Sequence, residues 1–98
     1  MDRMDTTGTS PSHAAADFEA ETAQVNKAVG IELRVLRTRR GWNQEQLAEA
    51  IGVDKKTIGR LERGDRSMTM GQMYRICKAF GIKPSQLVGS VEREIGIQ

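Results

Sequence analysis

The sequence predicts an all-α fold of five helices in one domain, and two observations carry that prediction. Apolar residues recur at helical spacing in successive segments, and Gly41, Gly52, Gly64 and Gly81 close four of them. Residues suited to cap a helix start, Asn43, Asp54 and Thr69, stand just ahead of three segments. The 98 residues leave room for one small core, and with aromatics at 4% that core must be built from Leu, Ile, Val, Met and Ala. A helical bundle with short loops suits such a chain better than an enzyme with a deep pocket.

The first 16 residues, MDRMDTTGTSPSHAAA, are polar and small and read as a disordered tail. His13 stands alone there, without the Cys, His or acidic neighbours of a metal site, and reads as a solvated residue. From Asp17, a candidate N-cap, Phe18, Val25, Val29, Leu33 and Leu36 fall near one helical face. Acids gather at its start and Arg34, Arg37, Arg39 and Arg40 at its end, the sense the helix dipole favours. Residues 17–40 form either one helix or two broken at Gly30. Ile31 and Val35 make an extra apolar pair for the N-terminal segment, the C-terminal tail or another subunit.

The second helix starts with a capping box, Asn43 with Gln46, and Trp42 is placed to staple onto Leu47. Leu47, Ala48 and Ile51 point inward and Gly52 supplies the turn. Asp54 then caps a third helix whose Ile58 and Leu61 face the core, leaving Lys55, Lys56, Gly59, Arg60 and Arg63 outside. Thr69 and Gln72 form another capping box for a fourth helix, with Met73, Ile76, Cys77 and Phe80 as its buried stripe. Pro84 opens a fifth helix carrying Leu87, Val88 and Val91. Beyond it, residues 92–98 read as a tail in which Ile95 extends the spacing of Leu87 and Val91; these three serve either a subunit contact or a fold-back onto the bundle. The domain proper is therefore expected over residues 17–91.

Charge is unevenly distributed. Residues 1–25 carry a net −4 and residues 26–98 a net +6, so a basic globular part with an acidic tail suggests a polyanionic partner. Two helices joined by a short Gly-containing turn, Asn43 to Gly64, match the helix-turn-helix arrangement, whose second helix enters the DNA major groove. Lys55, Lys56 and Arg60 supply donors for guanine O6 and N7. Gly59 between them points either to close backbone approach or to a tolerated missing side chain. Gln44 and Asn43 at the start of the second helix, with Arg39, Arg40, Arg63 and Arg66, are candidate phosphate contacts, to which Thr57 is added.

The stretch Val29 to Leu87 resembles the Cro/C1-type helix-turn-helix family, to which phage repressors belong, through Asn43-Gln44, Leu47-Ala48, Gly52-Val53, Thr57-Ile58, Glu62-Arg63-Gly64 and Leu87. That resemblance implies a five-helix lambda-repressor-like domain with a disordered or partly helical N-terminal extension, binding palindromic operators as a homodimer. It places Lys55, Lys56, Gly59 and Arg60 on the base-reading face and Gln44 at the phosphate. It makes Arg37 and Glu62 a structural salt bridge. Gly59 departs from a commonly polar position, and Lys83 stands where a small capping residue is usual.

The chain is thus expected to be a sequence-specific DNA-binding repressor acting on double-stranded DNA. The alternatives are an antitoxin-type regulator holding a protein partner, and the controller of a restriction–modification operon. No cofactor or metal is expected: there is no phosphate-binding Gly loop, Cys/His metal spacing or nucleophile–base pair. One cysteine, no membrane-length apolar run and no signal-peptide pattern predict a cytoplasmic location.

Overall fold

The computed structural model describes residues 11–96, with side chains from residue 16 onward. Residues 1–10 of the expected tail, the His13 side chain and residues 97–98 lie outside that range. Five helices follow in order: α1 (Pro11–Arg40), α2 (Gln44–Ile51), α3 (Lys55–Arg63), α4 (Met70–Phe80) and α5 (Pro84–Ile95).

Two boundaries differ from expectation. The first helix begins at Pro11, so the tail boundary at residue 16 is corrected and Asp17 stands inside α1 instead of capping it. Proline suits a first helical turn, and the three alanines that follow have the highest helix propensity. At the other end α5 runs to Ile95 and closes at Gly96 (φ +78°), so the tail expected from residue 92 is largely helix. Gly30 does not break α1, which is a single helix of 30 residues, about 45 Å at 1.5 Å per residue.

Local chemistry sets the remaining ends. Asn43 Oδ1 accepts from the Gln46 N–H (2.8 Å), while Gln46 Oε1 accepts from the Asn43 N–H (2.8 Å). Thr69 and Gln72 repeat the exchange at 3.0 Å in each direction. Lys83 has no acceptor in its side chain, and α5 starts nonetheless: Pro84 occupies the first turn and Gln86 Oε1 accepts from the Lys83 N–H (2.7 Å). Gly52 takes the left-handed conformation (φ +73°) that turns the chain from α2 toward α3.

Leu33, Leu47, Ile51, Ile58, Leu61 and Ile76 form a fully buried centre, with Trp42 and Phe80 closing one end through a tilted ring contact at 5.4 Å. Cys77 is 2% exposed within α4, and burial raises its thiol pKa, so it behaves as a small apolar residue. Met73 is half-buried, and Gln72 is buried with the α4 stripe. On α1 the expected stripe holds only from Val29 onward. Phe18 is 65% exposed and Val25 37%, because the bundle does not extend along the N-terminal half of the helix.

Helices α1 and α3 cross at very short range. A β-carbon added at Gly30 would meet the backbone carbonyl oxygens of Glu62 and Leu61, the latter at 2.6 Å. Gly64, at φ +77°, faces the Lys27 backbone, where an added β-carbon would lie 2.9 Å from Cα. Two glycines therefore let the main chains touch where α3 ends.

Candidate nucleic-acid interface

Helix α3 is divided cleanly between two faces. Ile58 and Leu61 are buried at 0% and 1% exposure, whereas Lys55, Lys56, Arg60 and Arg63 face solvent. Asp54 fixes its start: Oδ1 accepts from the Thr57 N–H at 2.8 Å. The Thr57 side chain and backbone, and then Lys56 and Arg60, hold the Asp54 carboxyl below its ordinary pKa.

The inner end of α3 is held by ion pairing. Arg37 Nε donates to Glu62 Oε2 at 2.6 Å and Nη2 donates to Oε1 at 3.1 Å, a two-pronged pair with side chains 11% and 4% exposed. Arg37 Nη1 also donates to the Trp42 carbonyl (2.9 Å), and Gln44 Nε2 donates to Glu62 Oε1 (3.0 Å). The Glu62 hydrogen bond raises the Arg37 pKa against the opposing effect of burial. One carboxylate thus ties α1, α2 and α3 together.

Asn43, Gln44 and Lys55 line a shallow concavity of about 290 Å³ between the starts of α2 and α3. Glu45 and the paired Arg37 complete its lining; a helix start open to solvent beside a second helix with three exposed cationic side chains is an arrangement that can meet a phosphate and present donors to base edges. A helix-turn-helix family model matches residues 33–87, more than half of the chain.

The chain belongs to the Cro/C1-type helix-turn-helix family.

Relatives of this helix-turn-helix domain are transcriptional regulators. An uncharacterised regulator of Bacillus subtilis, YgzD, is 38% identical over 52 residues, covering 53% of this chain and 79% of the relative. The CTXphi phage repressor RstR from Vibrio cholerae is 34% identical over 64 residues, 65% of this chain and 58% of that one. Among solved structures, the restriction–modification controller protein C.AhdI of Aeromonas hydrophila superposes with a TM-score of 0.61 at 35% identity, over 63% of this chain and 94% of that one. The clp gene regulator ClgR of Corynebacterium glutamicum superposes with a TM-score of 0.69 at 26% identity, over 76% and 96%. The chain spans between about a third and four fifths of the first curated relatives. No helix among the described residues is long and apolar enough to cross a membrane.

Within the helix-turn-helix domain, several expected site residues have other occupations. Arg40, expected at a phosphate, is exposed and also braces the end of the bundle. Its guanidinium lies 5.0 Å from the Trp42 ring centre and 5.2 Å from that of Phe80, and Nη1 donates to the Ala79 carbonyl (3.3 Å). Gly59 is corrected from an exposed to a buried position: Gln44 and Arg63 roof it, with Arg63 Nη1 3.2 Å from where a β-carbon would stand. Leu87 and Val91, expected at a subunit contact, are buried within their own chain at 3% and 8%, because α5 packs them against α1; Ile95 is only half-buried. Asn43 spends its side-chain oxygen on the α2 cap. Arg39 and Arg66 are exposed.

Two supporting contacts were not among those expected, and the first joins residues far apart in the sequence. Arg75 Nη1 donates to the Ile51 carbonyl (3.2 Å), satisfying the end of α2 from a position 24 residues away. Arg63 Nε pairs with Asp65 Oδ2 at 2.9 Å, an exposed pair (63% and 57%) of little worth to folding but well placed to hold Arg63 over Gly59.

The lowered Asp54 pKa makes a pH prediction. A carboxyl depressed in the folded state contributes its stability above the unfolded value, near 3.9, and loses it as pH falls toward the folded value. Urea midpoints of wild type and Asp54→Asn, which keeps a capping oxygen without titrating, should therefore run parallel above about pH 5 and converge in more acidic solution. Parallel curves down to pH 2.5 would refute the coupling.

Proposed function

We propose that the chain is a repressor that binds a two-fold operator as a homodimer, with α3 of each copy in the major groove. The observation that carries this reading is that Lys55, Lys56 and Arg60 stand exposed on a helix whose opposite face is locked into the bundle. Lys55, Lys56 and Arg60 read base edges. Gly59, buried beneath Gln44 and Arg63, leaves room for those two side chains to lie flat against the duplex instead of touching a base itself. The phosphate set is Gln44, Asn43 and Thr57 at the helix starts, with Arg39, Arg63 and Arg66. Gln44 acts through its backbone N–H, since its side-chain nitrogen is committed to Glu62. Arg63 turns from Asp65 to the phosphate as DNA arrives.

The repressors among the relatives support the sign of regulation. The likeness to C.AhdI supports a second reading, control of a restriction–modification operon, which uses the same protein surface. A neighbouring methylase or nuclease gene would favour that reading.

Selection of bound DNA from a random pool, with wild type and with Arg60→Ala, tests the assignment. The variant should lose discrimination at one position per half-site, at about 1–3 kcal/mol, with half-site centres about 34 Å apart. A uniform loss over all sequences would make Arg60 a phosphate contact, and wild type without any sequence preference would overturn the reading altogether. With about six phosphates neutralised per complex, the slope of log affinity against log salt should be about −5.

A further inference from the structure

Arg63 and Asp65 are two positions apart, a spacing at which side chains on a helix do not face each other. They meet because the chain turns between them. Gly64 takes φ +77°, and the Asp65 N–H donates to the Arg60 carbonyl at 2.9 Å, so the carboxylate folds back beside the end of α3. That turn has little freedom, since Gly64 lies against the Lys27 backbone of α1. Asp65 Oδ2 accepts from Arg63 Nε at 2.9 Å, and the Asp65 side chain makes no other hydrogen bond among the described residues.

The pair also sets where the guanidinium rests. Long helical side chains lean toward the preceding turn, and Arg63 leans over Gly59. Its Nη1 stands 3.2 Å from where a β-carbon at that position would be. Gly59 therefore supplies a seat that a side chain would fill, and the seated guanidinium lies along the outer face of α3 between Asp65 and Gln44.

Stability does not account for Asp65. The two side chains are 63% and 57% exposed, a setting in which ion pairs contribute little to folding. A carboxylate just past a helix C-terminus also has the wrong sign for the helix dipole. Beside the cationic side chains of α3, a negative charge opposes a polyanion. What Asp65 does offer is the chemistry of a phosphate, anionic oxygen accepting from a guanidinium. We propose that Asp65 is an internal competitor for the DNA backbone, which occupies Arg63 in the free protein and lowers the affinity of the α3 surface for every duplex. Contact between Arg63 and a phosphate is then an exchange of one anion for another, and it leaves Asp65 bare. Phosphates carry no sequence information, so the reduction is equal for operator and random DNA. Lys55, Lys56 and Arg60 keep the discrimination, while Asp65 limits how tightly the protein holds DNA that it does not recognise. The inference rests on the DNA-binding reading and names a residue that sets its strength.

The test is a cycle of four full chains: wild type, Asp65→Asn, Arg63→Gln and the double variant. Fluorescence anisotropy measures their affinity for a labelled random-sequence duplex at low salt, about 0.05 M, where exposed charges are least screened. Loss of the Asp65 charge tightens binding in both backgrounds. With Arg63 present, Asp65→Asn should tighten it by a further factor of about 2–5, the range that an exposed pair implies. A selected operator duplex should gain by the same factor. Equal gains with and without Arg63 would reduce Asp65 to plain repulsion and overturn the competition. A loss of affinity would make Asp65 a residue that aims Arg63 at the duplex, and a changed preference at one base position would make Arg63 a base reader; either overturns it. An independent measurement needs no DNA. The Arg63 Nε–H resonance of nitrogen-labelled protein should move on Asp65→Asn, and a resonance that stays in place overturns the proposal while leaving the DNA reading intact. A wild type that binds no duplex overturns both. Both side chains are exposed, so the far-ultraviolet spectra and urea midpoints of all four chains should nearly coincide.

Discussion

Glu62→Ala is expected to lower the unfolding free energy by about 3–5 kcal/mol, the usual result of removing one partner of a buried ion pair. Arg37 keeps its charge at any accessible pH, and its surroundings leave it only 9% exposed. Without the carboxylate it retains a single bond, to the Trp42 carbonyl, and Gln44 loses its anchor as well. Domains of this size hold about 5–15 kcal/mol in total, so the variant would be near the edge of folding. Urea titration measures the loss directly. Glu62→Gln, which can keep the bond to Arg37 without the charge, should fall between the two. Pairing Glu62→Leu with Arg37→Met should recover most of the loss, because two apolar groups need no compensation. Equal losses in the single and double variants would show that packing, and not the ion pair, holds the crossing.

Gly30→Ala should destabilise by about 1–3 kcal/mol, the range found for overpacked sites. The direction is opposite to helix propensity, which favours alanine by about 1 kcal/mol. Sterics decide because the obstructing atoms are the backbone carbonyls of Leu61 and Glu62, which can yield only if α1 and α3 separate. Gly89→Ala is the matched control. Its new β-carbon would meet only the far end of Arg93, at 3.7 Å, so a gain of about 0.5–1 kcal/mol is expected. Thermal melts of the two variants should shift in opposite directions. A stabilised Gly30→Ala would disprove the close crossing.

These two residues mark where sequence reading works and where it stops. Asn43, Asp54 and Thr69 were legible as helix starts because a cap and its partner lie within one turn of each other. The glycine turns were legible for the same reason. Gly30 looked like a weak point because its contacts come from carbonyls more than thirty positions along the chain. Arg40 resembled any other terminal arginine, and only the meeting of Trp42 with Phe80 made a platform for it. The pairing of Arg37 with Glu62 came through family resemblance, since no spacing rule links residues 25 apart. Lys55, Lys56 and Arg60 could be placed on an outer face from periodicity alone, whereas what they touch depends on a duplex.

The touching main chains of α1 and α3 have a consequence for how such a domain can change. The tilt of α3 is set by peptide groups and by side chains on its concealed side, none of which Lys55, Lys56 or Arg60 contributes. If they read bases as proposed, those three positions work like the interchangeable teeth of a key cut on a fixed blank. On that proposal, a drift in operator preference would proceed through them one residue at a time, each intermediate still folded and still presenting its helix at the same angle.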